Sequence, residues 1–211
     1  LNDTHIGFFM DPDLGCSEDD LIGSDPARNL IYAVNSDDND EDCIGNMGYG
    51  TQPPAFGVAV LRGPLMDANG LDDPVDNTMP AWNGMRFNDG VPDNERLGLS
   101  RAMYFLRDGN PTMTAPQVVA DFMNYLHGRW KDGTPLTYGG SGYGGTTDAR
   151  FAFPDATDPL GVGVGGSPQP AWSEASAGNI PGDRRSLSSM GPLTLEPGMY
   201  QDLFVALVYA R

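Results

Sequence analysis

The sequence predicts a mainly β protein: a β-sandwich-like single domain over residues 1–211, with long Gly/Pro-rich loops and one amphipathic helix at about 115–130. Two observations support this fold class. Several short segments alternate apolar and polar residues with the period of two that is typical of strands. The turns between them are rich in the 28 glycines and 18 prolines of the chain. Many short strands joined by such turns favour a sandwich or a related all-β architecture.

Six segments are predicted to be strands, in chain order IGFFM (6–10), LIYAVN (30–35), AFGVAVLRG (55–63), SRAMYFLRDG (100–109), RFAFPD (150–155) and DLFVALVYA (202–210). In the first segment Ile6, Phe8 and Met10 fall on one face, as alternation requires. The last segment is apolar on both faces, which is typical of a strand buried in the centre of a sheet.

One segment, TAPQVVADFMNYLHGRW at 114–130, has the period of a helix. Thr114 begins it, and Gln117 stands where a capping box places Glu or Gln. Apolar residues then recur at helical spacing until Gly128, and this face is expected to pack on the sheet. Its members are Val118, Val119, Phe122, Met123 and Leu126.

The composition is strongly acidic, with 12 Lys and Arg against 29 Asp and Glu and a formal net charge of −17. Nucleic acid and anionic membranes require clustered positive charge, so neither is expected as a partner. No apolar stretch approaches membrane-spanning length. The chain opens LNDTHIGFFMD without an initiator methionine, and we interpret it as a processed piece of a longer precursor.

Two acidic runs flank predicted strands, DPDLGCSEDD at 11–20 and NSDDNDED at 35–42. The sequence shows no local surplus of basic residues that could neutralise them by ion pairing. Carboxylates in polar loops with Asn and Gly suit calcium, which takes six to eight oxygen ligands from flexible loops. A solvated acidic surface is the alternative. The predicted calcium ligands are Asp11, Asp13, Asp19 and Asp20 from the first run, and Asn35, Asp37, Asp38, Asp40 and Asp42 from the second.

A third acidic stretch, NDGVPDNERLG at 88–98, resembles in part the calcium loops of thrombospondin type 3 and dockerin-like repeats. Phe87 stands where those loops carry an earlier aspartate, so a site here needs ligands from elsewhere. Its predicted ligands are Asp89, Asp93 and Glu95. The segment DANGLDD at 67–73 is interpreted as a polar turn.

The chain has two cysteines, Cys16 and Cys43, and each acidic run holds one or is followed directly by one. A disulfide between them is expected to hold the two runs together, and a link over this span contributes about 3–4 kcal/mol in the chain-entropy model. Free thiols are the alternative. Zinc is disfavoured because no histidine or second cysteine accompanies either residue.

The sequence offers little material for catalysis. It has two histidines and shows no metalloprotease pair, nucleophile elbow or phosphate-binding loop. His127 is expected to be a helix-surface or packing residue. The predicted function is therefore a non-catalytic calcium-binding module. The alternative is a carbohydrate-binding or glycoside hydrolase unit, with paired carboxylates as acid and base and Trp82, Trp130 or Trp172 as a stacking platform.

Five segments, in this order, resemble an uncharacterised extracellular region of large secreted or surface proteins of Bacteroidota and related bacteria, many of which use type IX secretion. They are GFFMDPDLGCSEDDLIGSD, GYGTQPPAFGVAVLRGP, DGVPDNERLGLSRAMYF, YLHGRWKDGTPLTYGGSGYGG and PGDRRSLSSMGPLTLEPGMYQDLFVALVYAR. The resemblance implies export to the cell surface, and it implies no reaction. The partners expected there are neighbouring domains or copies, with polysaccharide as a further candidate.

Overall fold

The structure, a computed structural model that describes residues 1–43 and 45–211, confirms the mainly β fold. Within the described residues the strands are β1 (Thr4–Met10), β2 (Asp20–Asp25), β3 (Leu30–Asn35), β4 (Asn39–Asp40), β5 (Gly50–Thr51), β6 (Ala55–Arg62), β7 (Arg101–Leu106), β8 (Arg184–Leu193) and β9 (Phe204–Ala210). The helix α1 (Val119–Leu126) lies between β7 and β8. Single turns of 3-10 helix occur at Ser17–Asp19, Pro26–Arg28, Pro111–Met113 and Val162–Val164.

The strands pair into two main antiparallel sheets. The three-stranded sheet has the order β1-β8-β7, and the four-stranded sheet has the order β2-β3-β6-β9. The central strand β8 of the first sheet comes close to β2 and β3 of the second. Apolar side chains from both sheets belong to one hydrophobic cluster, as in a sandwich. The short strands β4 and β5 form a separate ribbon.

Aromatic side chains fill the centre of this cluster. The Tyr104 ring of β7 lies 5.7 Å from the Trp130 ring and 4.8 Å from the Phe153 ring, and Trp172 lies 4.9 Å from Phe153. Buried indole N–H groups need acceptors. Both tryptophans donate to backbone carbonyls of the glycine-rich loop YGGSGYGG at 138–145. This loop therefore covers the aromatic core and satisfies its polar groups.

The predicted helix is present, but it is shorter than expected and buries a different face. The Asp121 carboxylate, rather than Gln117, caps its first turn by accepting from the backbone N–H of Gln117 at 2.9 Å. Tyr125 is fully buried and stacks on Phe105 at 5.4 Å. Leu126, at the end of the helix, also packs against the core. The other residues of the predicted packing face are exposed: Val118, Val119, Phe122 and Met123.

Two strand predictions need correction. DLFVALVYA forms the strand β9 as predicted, but it pairs with β6 at the edge of the four-stranded sheet and is largely exposed rather than central. Within the described residues, RFAFPD forms isolated bridges at Phe151 and Asp155 in place of a strand. Alternation in the sequence shows which residues are apolar, whereas the packing of neighbouring elements determines which residues are buried.

Four strands were not predicted: β2, β8 and the two-residue strands β4 and β5. β8 has the sequence RRSLSSMGPL, in which serines interrupt the apolar alternation used to identify strands. Ser186, Ser188 and Ser189 are nevertheless buried. The strand is identified by its position between β1 and β7, with both of which it forms antiparallel ladders; the ladder with β1 has an irregularity between Thr4 and Ile6.

Candidate metal centre

A disulfide joins the segments that carry the two acidic runs. Cys16 lies in the loop between β1 and β2, and Cys43 lies shortly after β4. The two residues are 27 positions apart in sequence, their Cα atoms are 5.3 Å apart, and their sulfur atoms are bonded. The predicted disulfide is therefore present, and it holds the first run against the second.

Three carboxylates converge where β1 ends and β8 begins. The two strands are antiparallel and Met10 pairs with Ser186, so the residues after β1 lie beside those that precede β8. Asp11, Asp13 and Asp183 each place a carboxylate oxygen within 4.8 Å of the others. Two of the predicted ligands thus meet, together with a third acid that was not predicted.

Two arginines from distant parts of the chain offset some of this negative charge. Arg185 of β8 places Nε 2.8 Å from Asp11 and Nη2 3.3 Å from Asp183. Arg107, just after β7, pairs with Glu18 at 2.8 Å and with Asp183 at 3.4 Å. The first run has no local surplus of basic residues in sequence, and tertiary contacts instead supply arginines that lie far away along the chain.

The carboxylate cluster keeps capacity for a further partner. Asp183 is buried, and its Oδ1 atom has no hydrogen-bond partner. Burial raises the pKa of Asp183; Arg185 opposes that rise, and the charges of Asp13 and Asp11 add to it. A buried carboxylate oxygen without a partner is costly, and a cation shared with Asp11 and Asp13 would satisfy it.

Asp20 places a further carboxylate near this cluster. Its side chain is fully buried, Oδ2 accepts from the Leu14 N–H at 3.1 Å, and Oδ1 has no partner. Burial raises the pKa of Asp20 to about 7, and the nearby charges of Asp19, Asp13 and Asp40 add to the rise. At this position the carboxyl group either keeps its proton or, when it is ionised, needs a nearby cation to offset its charge.

Asp40 belongs to the second run and connects it to the first. Its two carboxylate oxygens accept from the Cys16 N–H at 2.9 Å and from the Tyr49 N–H at 2.7 Å. Gly15 permits this contact: it has a φ of +65°, and a Cβ there would lie 1.9 Å from the Asp40 carboxylate. Asp40 therefore organises the backbone of the site.

The rest of the second run makes local hydrogen bonds. Asn35 donates to Asp19 at 2.9 Å, which links the two runs beside Asp20. Asp37 accepts from the backbone N–H two residues further on, and Asp42 accepts from the N–H six residues further on. Asp38 is exposed.

The third acidic stretch forms a separate structure. Asp93 and Glu95 accept hydrogen bonds of 2.7 Å from backbone N–H groups of the turn 67–73. Asp89 accepts from the Asn94 side chain at 3.2 and 3.1 Å. In the part of the chain that the structure describes, neither group of three ligand atoms within range of one ion includes these acids. Their oxygens join two polar turns.

Sequence reasoning missed Asp183 because β8 was not predicted. The segment PGDRRS carries a pattern that could have identified Asp183 as a candidate. An acid followed by two arginines at the start of a strand places opposite charges close together. Without the pairing of β1 with β8, nothing in the sequence relates Asp183 to Asp11 and Asp13, which lie about 170 positions earlier.

Two of the three tryptophans proposed as a stacking platform are buried. Trp130 and Trp172 are 0% and 3% exposed, so both belong to the core rather than to a sugar-binding surface. Trp82 is half-buried. Stacking on a sugar requires an exposed indole face, so the stacking prediction is wrong for Trp130 and Trp172.

Comparisons of the chain with protein-family models, curated proteins and solved structures found no match. Among the described residues, no helix is long and apolar enough to cross a membrane. The candidate centre is therefore interpreted from its own geometry and chemistry.

Proposed function

We propose that the chain is a non-catalytic, calcium-binding extracellular module of a bacterial secreted or surface protein, and that it serves adhesion, assembly or display. The observation that carries the proposal is the convergence of Asp11, Asp13 and Asp183 beside the buried carboxylate of Asp20. The proposed partners are neighbouring domains or copies at the cell surface, with polysaccharide as a further candidate.

The donor atoms favour a hard cation. Carboxylate oxygens a few ångströms apart repel one another, and the Arg185 guanidinium offsets only part of the charge of Asp11, Asp13 and Asp183. A divalent ion would neutralise two further charges and take up the free Oδ1 of Asp183. The ligands come from an irregular loop, which suits the variable coordination of calcium better than the rigid octahedron of magnesium.

The disulfide supports an extracellular setting. Disulfides persist in oxidising compartments and are rare in reducing ones. The Cys16–Cys43 bond lies between the two acidic runs, where it limits the separation of the carboxylates in the unfolded chain. Together with the expected export, this supports a module that is stabilised by a disulfide and by calcium.

A cleft of about 490 Å³ bears on the hydrolase alternative. Four carboxylates line it, those of Glu18, Asp108, Glu174 and Asp183. Each is paired with an arginine. A hydrolytic pair needs one carboxyl group that is free to donate a proton and another that is free to act as base or nucleophile. The ion-pair network favours a structural role for these acids.

Chelation combined with thermal unfolding tests the proposal. The protein is melted in chelator, in excess calcium and in excess magnesium. Calcium at about 100 times its Kd stabilises by about 2.7 kcal/mol, which is about 5–10 °C in Tm for a chain of this size. We expect calcium to restore Tm more fully than magnesium does. Asp13→Asn should reduce the calcium response.

The matched control is Glu196→Gln, which removes an exposed carboxylate outside the acidic runs and should leave the calcium response unchanged. An unchanged Tm in chelator would refute the proposal. A calcium response that is equal in parent and Asp13→Asn would place the ion elsewhere and refute this assignment of the ligands.

A further inference from the structure

Both histidines of the chain meet one carboxylate, at a distance from the acidic runs. His5 lies in β1, and His127 follows the last residue of α1. Their ring centroids are 4.4 Å apart. Asp3 lies between them, with Oδ1 3.3 Å from His5 Nε2 and Oδ2 3.0 Å from His127 Nε2. The prediction of His127 as a surface or packing residue did not anticipate this grouping.

The backbone determines which nitrogen of His127 carries hydrogen. Nδ1 lies 2.6 Å from the Met123 carbonyl oxygen. A carbonyl oxygen can only accept, so Nδ1 is the donor. In the neutral ring Nε2 then presents a lone pair, and that lone pair faces a carboxylate oxygen of Asp3 at 3.0 Å. Two acceptors in this arrangement repel unless a positive charge lies between them.

His5 adds a second nitrogen donor that is held in place. Its side chain is only 4% exposed, and its Nδ1 atom is buried without a hydrogen-bond partner. One added proton can satisfy all three groups, because hydrogen on Nε2 of each ring would donate to the two oxygens of Asp3. A bound metal would therefore compete with that proton.

We propose that Asp3, His5 and His127 form a binding site for a divalent transition metal of the zinc class. Zinc bound to imidazole nitrogen and carboxylate oxygen has bonds of about 2.0–2.2 Å, so tetrahedral ligand atoms lie about 3.3 Å apart. Each ring nitrogen lies close to this distance from one oxygen of Asp3, His5 at 3.3 Å from Oδ1 and His127 at 3.0 Å from Oδ2. One ligand atom from each of the three residues lies within 4.8 Å of the others, so binding through a single Asp3 oxygen requires a small closing movement. Three protein ligands leave a fourth position for water or a ligand.

Contacts around the ligands support the assignment. A metal-bound histidine usually donates its second ring N–H to a backbone carbonyl or carboxylate, which orients the ring. Met123 provides such a carbonyl for His127. The end of the helix is also anchored, because Ser189 of β8 donates to the Leu126 carbonyl at 2.7 Å. The metal would therefore connect β1 to α1 at a position that is already held.

One nearby charge opposes cation binding. Arg101 donates from Nε to the His127 carbonyl at 3.2 Å, and its charge contributes to lowering the pKa of His5. The charge of Asp3 offsets that of Arg101 only in part, because Asp3 is more exposed. We therefore expect weaker binding than in closed structural zinc sites, whose ligands are usually all thiolate or imidazole.

The site is chemically distinct from the proposed calcium centre. Imidazole nitrogen suits zinc, copper, nickel and cobalt, whereas carboxylate and carbonyl oxygens suit calcium. None of its three residues belongs to the calcium cluster. The two sites should therefore be separable with different ions and different variants, and failure at one site leaves the other proposal standing.

Cobalt and zinc titrations of the full chain, prepared without a histidine tag and stripped of metal, test the proposal. We expect one Co²⁺ per chain with visible d–d absorption, displaced by Zn²⁺, and one Zn²⁺ by calorimetry in the presence of calcium. His127→Gln and Asp3→Ala alter partly exposed side chains, so both variants should fold. Each should weaken Zn²⁺ binding at least tenfold, as loss of a ligand requires.

Asp13→Asn is the matched control and should bind Zn²⁺ as the parent does. Absence of Co²⁺ absorption in the parent would overturn the proposal, and Asp3 would then simply accept from a protonated His127. Binding that is retained in both His127→Gln and Asp3→Ala would also overturn it. Zn²⁺ binding that is lost in Asp13→Asn but retained in His127→Gln would place the ion at the acidic cluster and contradict the assignment.

Discussion

The Glu174 carboxylate and the Arg184 guanidinium form a buried ion pair, with Oε1 2.7 Å from Nε and side-chain exposures of 1% and 7%. The second carboxylate oxygen accepts from the Ile22 N–H at 2.7 Å, so the pair connects β8 to β2. Glu174 thereby joins the two sheets at the wall of the 490 Å³ cleft.

Breaking this pair should be strongly destabilising. Arg184→Met leaves the carboxylate of Glu174 buried without its partner, which costs about 3–5 kcal/mol. Urea unfolding measures the loss. The control is Asp108→Asn, which weakens an ion pair with Arg107 in which the two side chains are 80% and 46% exposed and should cost much less. Equal losses in the two variants would show that the buried pair contributes no more than a surface pair.

Removal of the Cys16–Cys43 disulfide should lower stability by about 3–4 kcal/mol, because opening a link between residues 27 positions apart returns entropy to the unfolded chain. The measurement compares urea unfolding of the parent with that of the Cys16→Ala/Cys43→Ala double variant. Reductant should destabilise the parent and leave the double variant unaffected. A loss below about 1 kcal/mol would mean that the acidic runs are held together without the bond.

Stability in chelator should fall between about pH 4 and pH 7. Burial raises the pKa of Asp20 to about 7 in the folded protein, whereas an unfolded aspartate has a pKa of about 3.9. The folded state therefore keeps a proton that the unfolded state has lost. The stability associated with Asp20 is fully present below about pH 4 and is lost progressively up to about pH 7, with a slope of at most about 1.4 kcal/mol per pH unit.

Asp20→Asn isolates this effect, since the amide does not titrate. Unfolding free energies of the parent and the variant, measured from pH 4 to pH 8, should differ most above pH 7, where the variant gains relative stability. Parallel pH profiles would show that Asp20 is ionised throughout the range, which conflicts with its burial.

Substitution of Asp93 should lower the free energy of unfolding and should leave the stabilisation by calcium unchanged. Its carboxylate accepts from the N–H groups of Asn69 and Gly70, both at 2.7 Å, and so joins two turns. Loss of such charge-assisted hydrogen bonds in Asp93→Ala should cost about 1–3 kcal/mol, equally in calcium and in chelator. If the cost appears only in calcium, Asp93 is an ion ligand, as the loop pattern first suggested.

Local patterns identified strands, though not always which face they bury. The segments IGFFM, LIYAVN, AFGVAVLRG and SRAMYFLRDG became β1, β3, β6 and β7. Burial follows the alternation in β1, whereas β6 and β7 bury consecutive residues on both faces. The pairing of Cys16 with Cys43 was also predicted, from the position of each cysteine at an acidic run.

Other elements followed their surroundings rather than their sequence pattern. β8 is central although it is rich in serine, and β9 is an exposed edge strand although it is apolar on both faces. The helical spacing of apolar residues in α1 was predicted correctly. The predicted packing of this face on the sheet was wrong, because most of these residues are exposed. The intrinsic strand propensity of a segment is a weak constraint, because the neighbouring strands determine which of its side chains are buried.

The sequence by itself determined the mainly β class, the disulfide and the acidic segments, because these depend on residue type and short-range spacing. Only the tertiary structure decided which acids share a site. Asp183 meets Asp11 and Asp13 through the pairing of β1 with β8. Arg185 of β8 pairs with Asp11, and Arg107, just after β7, pairs with Asp183. Asp3, His5 and His127 meet because α1 ends beside β1. Electrostatic and coordination energies depend on distances of a few ångströms, and the register of distant strands sets those distances.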